Sequence, residues 1–523
     1  MIDGERRSFL LNAAGLAALA AAGSAVARNP DGYPFSLGVA SGSPLPDAVI
    51  LWTRILANPL DASSTPAIAL AVRWEIASDE AFKHIVGKGQ ATASPQLGHS
   101  VHVDARGLAP DRWYWYRFMQ GDAVSPVGRT RTAPAPNAQV ASLRIAVGSC
   151  QHWEFGSYAA HRHIAAAAPD VVAFVGDYIY EWGPYQLAHP AKSARVNESF
   201  TLADYRNRYA QYKSDADLQA AHAAAPWIVT WDDHEVANDY ANDRAVNLGI
   251  DFPARRAAAY QAFYEHMPLR LAPARASQFG ALRMHQRYDW GRLARLHVLD
   301  DRQYRAHQAC QAAGKGGSGS VVARACAELR APGRTMLGAE QERWLADGLT
   351  ASRARWNIIA QQTLMAQNNH AKPDAHDGAH FWTDGWDGYP VARERLLNAL
   401  RASRASNPLV LSGDLHTFYA TELRADFDRP VSKDNPLLAS EFCGTSITST
   451  SGPQSRTQQY VDANPHIKYG RSDKRGYMLL EVTPSGSTAQ FMGLENVQDA
   501  ASTQATLASF RVDAGLSGLV QAA

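Results

Sequence analysis

Residues able to bind metals or move protons recur at one kind of place in this chain, directly after short apolar runs. Cys150 follows LRIAVGS, and Asp177 and Tyr180 follow VVAFV in GDYIYE. Asp232-Asp233-His234-Glu235 follows WIVTW, Asp300-Asp301-Arg302 follows LARLHVL, and Asp414 and His416 sit in SGDLH. One such GD or DD is more often a turn or a helix cap than a ligand. Cys150 alone would be a core thiol, and Tyr180 alone ordinary aromatic packing. Five coincidences at successive strand ends are hard to explain that way, and together they read as a metal site. The donors narrow the ion. An all-histidine set would suit zinc and an all-oxygen set Mg²⁺, Mn²⁺ or Ca²⁺. Thiolate and phenolate beside carboxylates suit Fe³⁺, and the remaining oxygens suit a hard divalent ion such as Ca²⁺. A shared carboxylate can hold two cations at the spacing that in-line phosphoryl displacement uses.

Elements must bring these residues together. Residues 143–147 and 171–175 are β-branched strands, and 158–168 has helical composition closed by Pro169. That βαβ order implies parallel strands with a right-handed crossover, and ligands gather beyond the carboxyl ends of such strands. Residues 227–231, 293–299, 356–360, 409–411 and 439–443 read as further buried strands. Residues 340–352 and 391–403 read as amphipathic helices, and 477–482 with 488–492 as a closing antiparallel pair. Before residue 131 the pattern is all-β, with strands expected at 35–40, 49–54, 68–76, 100–103 and 113–118. The loop and strand at 107–117 look fibronectin-like. The expected class is α/β, in the layered α+β sense, preceded by a small β-sandwich. The domains are a signal peptide at 1–27, a sandwich at 28–131, a Pro/Ala linker at 132–141 and a catalytic domain at 142–523 ending in a helical segment.

The 523 residues carry 51 Lys and Arg against 50 Asp and Glu, a net charge of +1 that gives no sign of a nucleic-acid groove or a basic membrane face. Arg6-Arg7-Ser8-Phe9-Leu10 followed by an apolar stretch and Ala25-Val26-Ala27 reads as a twin-arginine signal with its cleavage site. The implied location is periplasmic or secreted, with the twin-arginine export machinery as a partner. No later window approaches the ~18 apolar residues of a membrane span. Of the four cysteines, Cys310 and Cys326 flank GKGGSGS and are placed for a loop-closing disulfide. Cys443 reads as a buried small hydrophobe. His370, His376 and His380 fall in a loop at irregular spacing and read as solvent-exposed.

GSC, GDYIYE, WDDHE, LDDRQYR and SGDLH, in that order, together with TDGWDGYPVAR and EFCGTSITS, resemble the PhoD-type alkaline phosphatases, a metallophosphoesterase-like family. The resemblance covers nearly the whole chain. It implies one Fe³⁺ with one or two Ca²⁺. Cys150, Asp177, Tyr180 and Asp300 correspond to iron ligands, Asp177 as the bridge, and Asp233 and Asp414 to calcium-side ligands. Arg302 would grip phosphate oxygens as a bidentate fork. His234 and His416 would stand in the outer part of the site, donating to the leaving group or orienting ligands. Asp301 stands where an uncharged residue is expected; Asp300 is favoured over it as the ligand. Trp386 is either a wall of the site or core. The implied activity is hydrolysis of small-molecule phosphate monoesters or diesters by metal-activated hydroxide, serving phosphate acquisition. A phosphodiesterase or phospholipase D-like specificity is the rival within the class, and a non-catalytic envelope-binding protein the rival outside it.

Overall fold

The computed structural model describes residues 32–522 apart from 60, 62, 63, 184–196, 272–275 and 373–375. The export signal read at residues 1–27 lies outside the described residues. Among the described ones, no helix is long and apolar enough to cross a membrane.

The β-branched run Val171–Val175 is buried along its whole length, as a parallel strand covered on both faces should be. It pairs in parallel with Leu143–Gly148 on one side and Trp227–Thr230 on the other. The helix Ala159–Ala166 makes the crossover. A second sheet places Ala294–Val298, Trp356–Ala360, Pro408–Ser412 and Leu437–Cys443 side by side in parallel. The five ligand-bearing strand ends therefore belong to two sheets. These pack face to face through Ile145, Val147, Ala173 and Val175 against Leu296, Val298, Ile358 and Leu411. Side-chain alternation sends the other residues outward. Phe174 and Trp227 meet Tyr209, Leu218 and Phe263 of covering helices, while Ile359 and Val410 meet Leu345, Leu349 and Leu397. The result is four layers, helix, sheet, sheet, helix.

The N-terminal part is an all-β sandwich. Val39–Leu45, Ala48–Arg54 and Ser100–Arg106 face Leu70–Ala77, Ile85–Ala93 and Trp113–Gln120. Val49, Leu51, Val72, Ile76, Val103 and Phe118 fill the space between. Its inner sheet also continues the catalytic one, because Val39–Leu45 pairs in parallel with Trp227–Thr230, Gly42 opposite Trp227. A Cβ on Gly42 would lie 2.6 Å from the Trp227 carbonyl oxygen and 2.7 Å from that of Pro268, so only glycine permits the junction.

Three expectations are corrected. The first strand begins at Val39 because Phe35–Gly38 closes a turn, the Gly38 amide donating to the Phe35 carbonyl at 3.0 Å. Ile85–Ala93 is a strand that its Gly-rich sequence hid. The C-terminal segment is not helical: Gln504–Asp513 is a strand paired with Gly486–Leu494, and the two-residue alternation of Ala508, Phe510 and Val512 into the core explains it. Cys310 and Cys326 form the expected disulfide, and Cys150 and Cys443 are free and buried.

Candidate active site

Cys150, Asp177, Asp414 and His416 end their strands with φ between 53° and 61°, the left-handed region that non-glycine residues seldom adopt. Such turns lift the side chains off the strand line onto a shared rim. Two buried glutamates hold the turns. Glu235 accepts the amides of Asp177, Tyr178 and Asp232. Glu441 accepts those of Met365 and Ala366 at 2.7 and 2.8 Å, with Ser412 Oγ at 2.8 Å. Gly176, at φ 107°, lets the two strand ends close: a Cβ there would meet Asp232 Cβ at 2.4 Å.

The rim lines a pocket of about 370 Å³ walled by Asp177, Tyr180, Asp233, His234, Asp414 and His416, with Phe155, Trp182 and Trp382 among the aromatic residues. Ligand atoms of Cys150, Asp177 and His416 lie within 4.8 Å of one another, as do those of Asp177, Asp233 and His234, and of Asp232, Asp233 and Asp414. Asp177 is common to the first two groups. Tyr180 Oη donates to Asp177 Oδ2 at 2.8 Å and lies 3.1 Å from His416 Nε2 and 2.7 Å from Ser449 Oγ. His416 Nδ1 faces the Thr450 carbonyl at 2.6 Å. A carbonyl only accepts, so Nδ1 carries the proton and Nε2 offers its lone pair. Burial, with Arg475 nearby, holds this imidazole down to about 4.

Charge is crowded. Burial pushes Asp177 and Asp232 well above the usual carboxylate range, and Asp414 up to about 6. Burial also pushes the Cys150 thiol and the Tyr180 phenol well up, with Asp177 adding to both. Burial opposes charge on Asp233 too, but Arg302 and His234 hold that carboxyl below its ordinary value. On His234 burial works against the proton, yet Asp233, Glu181 and Asp177 hold the imidazole well above its ordinary value. Glu181 Oε2 takes its Nδ1 at 2.7 Å. Asp177 Oδ1 and Asp232 Oδ2 are buried with no hydrogen-bond partner among the described residues. Thiol, phenol, imidazole and carboxylates at coordinating distance, with two orphaned carboxylate oxygens, are compatible with metal binding.

Asp300 stands apart. Its Oδ1 accepts the amides of Arg302 and Gln303 at 3.1 and 2.9 Å and its Oδ2 the Gln303 amide group at 3.0 Å, and it joins none of the four candidate groups. Here the ordinary turn reading of a DD after a strand prevails. Asp301 also joins none, although both its oxygens are buried without a partner among the described residues. Arg302 is not the open fork that was expected. It has no exposed surface: Nε is taken by Asp232 and Nη1 by Asp384 at 2.5 Å, while Nη2 lies 3.5 Å from Asp414 and 3.7 Å from Asp233. Trp386 is core, 1% exposed.

A model of the PhoD-like phosphatase family matches residues 145–491, and one of that family's N-terminal domain matches residues 19–134. The chain belongs to the PhoD-like phosphatases. This PhoD-like phosphatase is 44% identical to alkaline phosphatase D of Bacillus subtilis (strain 168) over 502 residues, 94% of its own length and 83% of the relative's. A solved structure of PhoD superposes on it with a TM-score of 0.87 at 43% identity, covering 95% of this chain and 94% of that one.

Sequence reasoning missed two carboxylates of this PhoD-like phosphatase. Asp239 and Asp384 form a fourth group with Asp233. Burial, then Asp384 and Asp233, push Asp239 up to about 7. Asp384 is pinned by Arg302 and by Arg305 Nη2 at 2.7 Å. Neither follows a strand of the two large sheets. The only signal was the polar TDGWDG stretch that contains Asp384.

Proposed function

We propose that this PhoD-like phosphatase hydrolyses phosphate monoesters and diesters for phosphate acquisition, after twin-arginine export to the periplasm or medium. Its two units are the sandwich at 28–131 and the catalytic part from 142 onward. The observation that carries the reading is Asp177, one carboxylate shared by two groups of candidate ligands, with a buried oxygen that has no hydrogen-bond partner among the described residues. Cys150, Tyr180, Asp177 and His416 would hold Fe³⁺. Asp177, Asp232, Asp233 and Asp414 would hold Ca²⁺, with Asp239 and Asp384 available to a second one. Asp300 is left out because its oxygens already serve a turn. When bound, the ions would polarise the phosphoryl group and activate water.

The chain's own residues supply the rest. His234 stands at the pocket wall, where in its protonated form it would steady a phosphoryl oxygen or pass a proton to the departing oxygen. Glu181 fixes its ring through Nδ1, leaving Nε2 to act. Arg302 balances the carboxylates beneath the pocket, keeping an acidic floor from repelling an anionic substrate.

Elemental analysis of the exported protein should return iron and calcium, and Asp177→Asn should lower both while the circular dichroism stays native. A visible absorption band from phenolate on iron should shift or vanish in Tyr180→Phe. An active enzyme free of iron, or a full metal complement in Asp177→Asn, would overturn the assignment.

A further inference from the structure

Of the aromatic side chains at the pocket, Phe155, Tyr180 and Trp182 are already engaged. Phe155 stacks on His152 with ring centres 4.1 Å apart, and Trp182 meets His234 edge-on at 4.4 Å and Tyr180 at 5.9 Å. Trp382 has no ring partner among the described residues and is 43% exposed, the only tryptophan among the exposed large hydrophobic residues described. Trp382 is therefore the ring at the pocket that keeps an open face.

Its backbone is held. Trp382 ends the strand His380–Trp382, which pairs with Ser320–Val322 inside the disulfide-closed loop, Ser320 opposite Trp382. The next residue is locked on both sides: the Thr383 amide donates to the Gly319 carbonyl at 3.0 Å, and the Gly319 amide donates to Thr383 Oγ1 at 2.9 Å. Ser318 of the same loop donates through its hydroxyl and, at 3.2 Å, its amide to Asp239 Oδ2. Both Trp382 and Asp384 line the pocket. An indole on a held backbone thus stands beside the acidic floor.

We infer that Trp382 is a specificity residue whose indole packs against the organic group of the ester, selecting phosphate esters that carry a planar ring, aryl or nucleobase, over small aliphatic ones. This rests on the phosphatase reading of the same pocket. With the phosphoryl group among Asp177, Asp233 and His234, the organic part must leave toward the aromatic mouth. A flat ring gains offset stacking and dispersion against the open indole face, whereas a glycerol-sized group gains little.

The test uses phenylphosphonate and methylphosphonate, which carry the same charged head and resist hydrolysis, so it reads binding whether or not the enzyme turns over esters. Calorimetry on the metal-loaded protein should show phenylphosphonate bound about five- to tenfold more tightly. Trp382→Ala should erase that preference and Trp382→Phe should keep most of it, with methylphosphonate affinity and metal content unchanged in both. Equal affinity of the parent for the two probes, or an undiminished preference in Trp382→Ala, would overturn the inference. A parent that shows the ring preference but hydrolyses neither p-nitrophenyl phosphate nor glycerol phosphate would refute the proposed hydrolysis and leave the role of Trp382 standing.

Discussion

The guanidinium of Arg302 has no exposed surface and meets four carboxylates, Asp232, Asp233, Asp384 and Asp414. Removing a charge so placed leaves its partners uncompensated, which is costlier than the pair was worth. Arg302→Ala should therefore lose about 3 kcal/mol or more of stability by denaturant titration, as well as at least a hundredfold in kcat/KM. Arg302→Lys keeps the charge but cannot reach several carboxylates as a planar fork, so it should recover stability only in part. A second buried cation tests pH. Lys213 Nζ sits 4.3 Å from the Trp52 ring centre and 3.3 Å from His222 Nε2, and burial holds its pKa well below the usual value. The folded chain carries this amine with less than a full proton, while the unfolded chain keeps it charged up to about pH 10. Unfolding then takes up a proton, so the cost is present at neutral pH and fades as the unfolded amine deprotonates. Lys213→Met should raise Tm, and by more at pH 7 than near pH 10; an equal gain at both would mean the lysine stays charged when folded. At this scale the sequence was informative where a residue directly follows a strand, as Cys150, Asp177, Asp233 and Asp414 do. It misled at Asp300, whose carboxylate serves the local turn, and it was silent on Asp239, whose amide donates to Asp233 Oδ2 at 2.7 Å within one turn, and on Asp384, which only the closing of the chain brings to Asp233.

The element that joins two of these late arrivals to the pocket is the loop closed by Cys310 and Cys326, 16 residues apart. It holds Asp239 through Ser318 and the segment before Asp384 through Gly319 and Ser320. In the loop-entropy model a bridge of this span contributes about 3 kcal/mol. Cys310→Ser/Cys326→Ser should lower the unfolding free energy by about that much, and the variant should also release the proposed calcium to a chelator faster than the parent, since Asp239 loses its anchor. Unchanged release rates would show that the loop merely caps the surface. The flanking cysteines and glycines made the bridge legible in advance. The loop's attachment to the pocket was not, because it runs through a hydroxyl and backbone groups that leave no pattern. The C-terminal strand was misread for a related reason: its alternation is interrupted by small residues, and its partner Gly486–Leu494 supplies the order that Gln504–Asp513 lacks alone.

For the whole molecule, alternating strands and helices, an all-β start and a linker were enough to read the layered class. What they could not show is that two sheets, rather than one, bring the strand ends to a common rim, or that the sandwich shares a sheet with the catalytic part. Parallel pairing at Gly42 and Trp227, the Trp52 indole donating to the Glu265 carbonyl at 2.9 Å, and His102 Nε2 at 2.9 Å from the Met267 carbonyl tie the two parts. Deleting residues 32–134 should therefore bare Trp227–Thr230 as an unpaired edge and yield aggregated protein in size-exclusion chromatography; a soluble, monomeric remainder would refute this. The same pairing bears on how the chain is made. Val39–Leu45 leaves the ribosome long before its partner Trp227–Thr230, and Leu143–Gly148, which ends beside Cys150, is flanked by Gly476–Val482 from far later in the chain. Contacts so distant in sequence form slowly and late. The strand that presents Cys150 gains its outer neighbour only after Gly476–Val482 has been made, so a chain stalled before that point offers neither a closed sheet nor a finished rim.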